Sequence, residues 1–133
     1  MLSQKITKDA LNISTSTSYD NRIIFSESLE SSIVLWELSH EGLINGNTEL
    51  GLPGKNPIVI TELFLEIAAP YENILSSAKN LVLLSRDKSI TNLELQSAIE
   101  IITSNEQPFL LGMDNIVFEY DKTAKQKVKS NGF

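Results

Sequence analysis

The chain has 133 residues, which is enough for one domain with a buried core and too few for two. Its 17 acidic and 11 basic residues give a net charge of −6, which argues against a nucleic-acid-binding protein, because such proteins normally carry a basic patch. The absence of cysteine excludes disulfides and thiolate metal sites. We therefore expect residues 1–133 to form a single globular domain with an acidic surface.

The N-terminal segment has the spacing of a short helix. Leu2, Ile6, Ala10 and Ile13 fall on one side of a helix, and "STSTS", Ser14–Ser18, is typical of a cap or a turn. We predict a helix that ends near Ile13. Because this segment has no long apolar run, we expect no signal peptide, no membrane contact and a cytoplasmic location.

The stretch Arg22–Gly42 places two apolar clusters on either side of a short anionic segment. "IIF" precedes Ser26–Ser32, and "IVLW" follows it. Four successive apolar residues, rich in β-branched and aromatic side chains, predict a strand over Ile33–Leu38 that is covered on both faces. The segment Ser26–Ser32 is then predicted to be an anchored turn.

A long glycine-containing loop is predicted over residues 39–56. Its "NG" and "PG" pairs are strong turn signals, and connections of this length are often functional in compact domains. The "GK" pair does not indicate a phosphate-binding loop. That motif requires a glycine where Glu49 stands and a serine or threonine where Asn56 stands.

A strand and three helices are predicted next. "PIVIT", Pro57–Thr61, has the composition of a second strand, and Thr61 would cap a helix over Glu62–Ile67 that stops before Pro70. Helical spacing continues in Ile74, Leu75, Ala78, Leu81 and Val82. Thr91-Asn92-Leu93-Glu94 is a capping box, and the helix behind it would bury Leu95, Ala98, Ile99 and Ile102.

The last part of the sequence predicts a hairpin. Its strands would be Phe109–Leu111 and Ile116–Tyr120, with the turn at residues 112–115. Residues 122–133 are polar and lysine-rich, so we predict a flexible C-terminal segment. Strands at both ends of the chain with helices between them predict an α+β domain, with a mainly antiparallel sheet of about four strands covered by helices.

No constellation of catalytic residues is visible in the sequence. His40 is the only histidine, has no second ligand at helical spacing, and is interpreted as an ordinary surface residue. Glu37 is interpreted as the solvent side of a strand, and Trp36 as a core residue. We therefore expect no enzyme activity, no metal and no cofactor.

Several stretches resemble the nuclease A inhibitor family, small cytoplasmic proteins that bind and block a sugar-nonspecific nuclease. They are "IIFSES", "VLWE", "GLPGKNPIVITELF" and "AIEIITSNEQPFLLGMDNIVFEYD", which occur in the family's order between Ile23 and Asp121. The resemblance implies an α/β/α sandwich around a four-stranded antiparallel sheet. Residues 80–90 are longer than the family pattern, and the C-terminus "KVKSNGF" does not match it.

The resemblance also implies the residues that contact the nuclease. Glu27, between Ser26 and Ser28 on an exposed turn, would take the place of a phosphate in a metal-containing cleft, and Glu30 would lie at the periphery. The family also uses its final residues, which makes Phe133 a further candidate. The implied partner is a nuclease, bound by a protein that is monomeric when free. The alternative is a small acidic secretion chaperone, which would be a dimer with an apolar groove.

Two consequences of this interpretation can be checked directly. Trp36, Phe118, Ile99 and Val82 should be buried. An all-helical chain would contradict the predicted sheet and, with it, the assignment to the nuclease A inhibitor family.

Overall fold

The computed structural model describes the backbone of residues 1–130 and the side chains of residues 1–126, and it is all helical. Its helices are α1 (Leu2–Thr15), α2 (Tyr19–Asn45), α3 (Ile58–Glu66), α4 (Ala68–Ser85) and α5 (Asn92–Ser130). The described backbone contains no strand, only an isolated antiparallel bridge between Asn47 and Leu52. The predicted α+β class, the four-stranded sheet and the α/β/α sandwich are therefore wrong.

Four of the helices form an up-down-up-down bundle. α1 packs on α2, α2 on α4, α4 on α5 and α5 on α1, while the short α3 packs mainly against α5. Neighbours run antiparallel: Arg22 near the start of α2 donates from Nε to the carbonyl of Ser85 at the end of α4, and Trp36, further along α2, contacts Tyr71 near the start of α4. The hydrophobic core lies along the axis of this bundle.

The predicted N-terminal helix is confirmed. α1 buries Ile6, Ala10 and Ile13 and ends at Thr15, close to the predicted end. Ser18 then caps α2, because its side chain accepts a hydrogen bond from the backbone N–H of Asn21 at 3.2 Å. The serine- and threonine-rich run thus separates two helices, as its capping chemistry favours.

The predicted strand over residues 33–38 is part of α2. Ile33 and Trp36 are buried, whereas Val34 and Leu35 between them are exposed, so the four apolar residues point to two sides of one helix. The buried side of α2 follows the spacing of three and four residues that joins Leu29, Ile33, Trp36 and His40. No proline or glycine interrupts the chain between Tyr19 and Glu41, so a helix can extend through it.

The predicted long loop is shorter than expected, since α2 continues to Asn45. Gly46 and Gly54 have positive φ angles of 91° and 70°, which glycine adopts without strain. The turn in this loop lies at residues 48–51 instead, where the backbone N–H of Gly51 donates to the carbonyl of Thr48 at 3.2 Å, so the two predicted turn pairs are not where the chain turns. A Cβ at Gly54 would lie 2.4 Å from the carbonyl carbon of Asn45, so only glycine fits there. The predicted strand Pro57–Thr61 is instead the start of α3, with Pro57 at its N-cap.

Two of the three predicted helices in the middle of the chain are confirmed, whereas Thr61, the predicted cap of the short helix, lies inside α3. α4 buries Ile74, Leu75, Ala78, Leu81 and Val82, and α5 buries Leu95, Ala98, Ile99 and Ile102. The capping box forms at the start of α5, where the backbone N–H of Thr91 donates to Glu94 Oε2 at 3.1 Å and that of Glu94 donates to Thr91 Oγ1 at 3.3 Å. Pro70 lies in the first turn of α4, where a helix needs no backbone N–H.

The predicted hairpin is wrong, because α5 continues through it to Ser130. Pro108 lies inside this helix on an exposed side, so the Ser104 carbonyl that it leaves without a helical partner can be hydrated. Gly112 was predicted to form a turn but allows close packing instead, since a Cβ there would lie 2.0 Å from Ile67 Cγ2. The predicted flexibility of residues 122–133 stays a prediction.

The predicted core residues are confirmed with one exception. Trp36, Val82 and Ile99 are buried, whereas Phe118 is 64% exposed. Phe118 was placed in a covered strand, but in α5 it lies opposite Ile116, which is fully buried. The strand prediction for Ile116–Tyr120 therefore placed Phe118 in the core by mistake.

Candidate functional site

The residues predicted to contact a partner lie in the middle of α2 rather than on a turn. Ser26 is fully buried, and its hydroxyl donates to the carbonyl oxygen of Val82 in α4 at 3.4 Å. Its side chain joins two helices of the bundle and does not reach the surface. The prediction that Ser26 lies on an exposed turn is therefore wrong.

Ser28 belongs to a polar network between α1 and α2. Lys5 Nζ donates to Ser28 Oγ at 2.7 Å, to Ser32 Oγ at 3.0 Å and to Asp9 Oδ2 at 3.1 Å. Ser28 in turn donates its hydroxyl proton to Asp9 Oδ2 at 2.9 Å. The mostly buried carboxylate of Asp9 is thus paired and hydrogen-bonded, as a buried charge requires, and Ser28 helps to hold α1 on α2.

Glu30 is exposed and joins α2 to α4. Its carboxylate accepts a hydrogen bond from the guanidinium of Arg86, and a second bridge forms between Glu37 and Lys79, with Nζ 3.1 Å from Oε1. Surface pairs of this kind contribute about 0–1 kcal/mol each. Glu30 therefore remains at the surface, but its charge is already partly compensated.

Glu27 is the one predicted contact residue that is both exposed and free. Its side chain has no hydrogen-bond or ion-pair partner among residues 1–126. It lies on the third turn of a long helix rather than on the predicted turn. Phe133, the remaining candidate, lies outside the described residues.

Glu27 shares one side of α2 with exposed apolar residues. We call this surface the outer face of α2, and its exposed members recur at helical spacing: Ile24, Glu27, Ser31, Val34, Leu35 and Leu38. Ile24 is 60%, Val34 61% and Leu35 54% exposed. The opposite side of the same helix faces the core, so α2 is apolar on two sides.

An aromatic cluster fills the bundle where α2, α4 and α5 meet. The His40 ring stacks on Tyr71 with centroids 3.7 Å apart and an interplanar angle of 16°. Trp36 lies 4.8 Å from Tyr71 and 5.1 Å from Phe109, measured between ring centroids. The geometries are the stacked and edge-to-face arrangements that aromatic pairs prefer.

His40 was predicted to be a surface residue and is instead buried, with 4% of its area exposed. Burial lowers the pKa of His40 from 6.5 to about 4, because the charged imidazolium would lose its hydration. The ring is therefore neutral at pH 7. The signal for this burial was the three- and four-residue spacing from Trp36 to His40 and Leu43, which becomes visible once α2 is recognised as a helix.

Tyr71 carries a buried hydroxyl without a hydrogen-bond partner in the described part of the chain. Burial raises the pKa of Tyr71, and the nearby carboxylates of Glu41, Glu37 and Glu72 raise it further. The Glu41 carboxylate lies near this hydroxyl, but the two groups do not meet hydrogen-bond geometry. The hydroxyl is therefore unpaired within residues 1–126.

Residues 1–126 contain no group of three or more His, Asp or Glu side chains that could hold a metal ion. Among the described helices, none is long and apolar enough to cross a membrane. The chain matches no protein-family model, and neither a curated protein nor a solved structure matches it.

Proposed function

We propose that this domain is a protein-binding module, not an enzyme, and that it contacts a basic partner through the outer face of α2. The observation that carries this proposal is the group of exposed apolar side chains on that face, Ile24, Val34, Leu35 and Leu38. Single exposed apolar residues are common on protein surfaces, whereas several on one helix face are typical of interaction sites.

Charge favours a basic partner. Glu27 lies on the outer face of α2, where no cation of residues 1–126 pairs with it, and the whole chain carries a net charge of −6. An acidic surface accelerates encounter with a basic one and disfavours acidic partners. The apolar residues would then supply most of the affinity, and Glu27 would supply orientation and specificity.

Inhibition of a metal-dependent, sugar-nonspecific nuclease is the narrowest form of this proposal. In such a complex the Glu27 carboxylate would occupy a phosphate position beside a Lys or Arg or near the metal. A helix holds the backbone of Glu27 in place before binding, which lowers the entropy lost on association. The resemblance behind this form now rests on short sequence stretches alone, because the sheet it implied is absent from residues 1–130.

A chaperone for a secreted protein is the second candidate, and the apolar outer face of α2 favours it. A chaperone of this kind would use the face for an unfolded or helical segment of its client. It would also be dimeric, so its solution mass separates it from a monomeric inhibitor.

The outer face of α2 is tested with matched variants. Leu35→Glu places a charge in the middle of the face, and Leu93→Glu places the same charge at a 77% exposed position at the start of α5. Neither residue is core, so both variants should fold. A protein captured by the wild type and by Leu93→Glu, but not by Leu35→Glu, supports the proposal. Equal capture by both variants contradicts it.

The nuclease form is tested by inhibition of a metal-dependent nuclease. Glu27→Ala should weaken inhibition by about 2–5 kcal/mol, mainly through faster dissociation, because it removes one member of a desolvated charge pair. Glu30→Ala should mainly slow association, and high salt should suppress that effect. If the wild type does not inhibit, the nuclease form fails while the capture experiment still decides the binding face.

A further inference from the structure

A small cavity opens beside the aromatic cluster, where α1 begins and where α2 and α5 face each other. We call it the aromatic cavity. Its volume is about 140 Å³, and its lining is mostly apolar: Met1, Leu2, Trp36, Ser39, His40, Leu43, Phe109 and Met113. It lies on the core side of α2, away from the outer face of α2.

The walls of the aromatic cavity are rigid on one side and adaptable on the other. Trp36 and Phe109 hold each other edge to face, with an interplanar angle of 73°, and His40 is fixed by stacking on Tyr71. Met1 and Met113 line the remaining wall. Thioether side chains are flexible and make favourable contacts with aromatic rings, so they can close around a planar guest.

His40 gives this apolar cavity a specific polar group. Its ring is buried, yet neither ring nitrogen has a hydrogen-bond partner among residues 1–126. Within residues 1–126, the side-chain atoms that are both unpaired and fully buried belong to Ser3 and Tyr71. The unpaired ring nitrogens of His40 therefore keep some contact with solvent. A neutral imidazole offers one donor and one acceptor, and buried polar groups normally find partners.

We propose that the aromatic cavity binds a neutral, single-ring aromatic molecule that carries one hydroxyl group, the phenol class. The ring would lie against Trp36 and Phe109, and the hydroxyl would donate to the unprotonated nitrogen of His40. The size fits, because apolar cavities of about 150 Å³ hold one benzene ring. The side chains that line the cavity are uncharged at pH 7, which matches a neutral ligand.

The sequence supplies reporters that are unique to this cavity. The chain has one tryptophan, one histidine and two methionines, and all four of these side chains line the cavity. Phenol and toluene are the probes, titrated into the full-length chain at pH 7. Both should shift the two methionine methyl NMR signals and change Trp36 fluorescence in a saturable manner. Only phenol should also shift the imidazole nitrogen signals of His40.

Two variants sharpen the test. His40→Phe keeps an aromatic ring but removes the acceptor, so phenol should bind about tenfold more weakly, the loss expected for one hydrogen bond, while toluene changes less than twofold. Met113→Trp fills the cavity and should abolish binding of both probes. Circular dichroism and urea unfolding check that both variants fold.

Three results would overturn the proposal. The first is the absence of a saturable shift with either probe in the wild type. The second is an equal loss of phenol and toluene binding in a folded His40→Phe variant. That result would show that the hydroxyl of phenol does not form a hydrogen bond with His40. The third is a shift of the His40 nitrogen signals by toluene as large as that by phenol, a result that needs no variant.

Discussion

The hydroxyl of Tyr71 shows how a single buried atom affects stability. It is buried without a hydrogen-bond partner in the described part of the chain, while its ring packs on His40 and Trp36. An unpaired buried hydroxyl costs about 1–3 kcal/mol of desolvation. The aromatic ring alone would keep the packing without this cost.

We therefore expect Tyr71→Phe to raise the free energy of unfolding by about 1 kcal/mol, measured by urea denaturation. The matched control is Tyr120→Phe, because the Tyr120 hydroxyl donates to Asn56 Oδ1 at 2.7 Å. That variant should lower the free energy of unfolding by about 1 kcal/mol. A destabilised Tyr71→Phe variant would show that the hydroxyl has a partner in solution.

His40 makes the stability depend on pH. Its folded pKa is lowered to about 4, whereas the unfolded imidazole titrates near 6.5. Between these values the unfolded chain binds a proton that the folded chain does not, so the free energy of unfolding falls as pH falls. The total loss is at most about 3 kcal/mol and is complete below pH 4.

The measurement is urea unfolding of the wild type and of His40→Phe at neutral pH and at pH values between 4 and 6.5. The variant retains all carboxylates, so the difference between the two proteins isolates the imidazole. As the pH falls from 6.5 to 4, the free energy of unfolding of the wild type should decrease by more than that of His40→Phe. A difference that stays constant over the whole range would contradict a neutral, buried His40.

At the scale of elements, the contact between α5 and the junction of α3 and α4 depends on Gly112. A Cβ at this position would lie 2.0 Å from Cγ2 of Ile67, which is buried and cannot move away freely. Alanine normally favours a helix over glycine by about 1 kcal/mol. Here the overlap should outweigh that gain.

We expect Gly112→Ala to lower the free energy of unfolding by about 1–3 kcal/mol, in the range for overpacked cores. Gly42→Ala in α2 is the matched control. Its nearest neighbours are the flexible end of Leu52, at 2.9 Å, and Cβ of Asn47, at 3.2 Å, so a smaller shift is needed there than at Gly112. Thermal unfolding followed by circular dichroism compares the two, and Gly112→Ala should be clearly the less stable variant.

At the scale of the whole molecule, net charge and the outer face of α2 act in opposite directions. The charge of −6 opposes self-association, whereas the exposed apolar residues favour it. We expect a monomer at micromolar concentration and low salt, checked by light scattering. A stable dimer under those conditions would contradict this expectation and favour the chaperone proposal.

The sequence by itself determined the local features that depend on near neighbours. The capping box at Thr91–Glu94 and the stripe from Ile74 to Val82 formed as predicted, and Gly46 and Gly54 adopt positive φ angles that only glycine adopts readily. Each rests on contacts within a few residues or on the conformational freedom of glycine. These interactions are present in the chain before it packs.

Only the tertiary structure decided whether the short apolar runs form strands or helices. "IVLW" and "FLLG…IVFEY" fit a strand or a helix equally well over four or five residues, because period two and period 3.6 cannot be separated in so short a window. The bundle selects the helix, since only that form brings Trp36, His40 and Phe109 into one core with Tyr71. The same choice buried Ser26 and His40, exposed Phe118 and left Glu27 on an outer helix face, so both candidate sites depend on packing between helices distant in sequence.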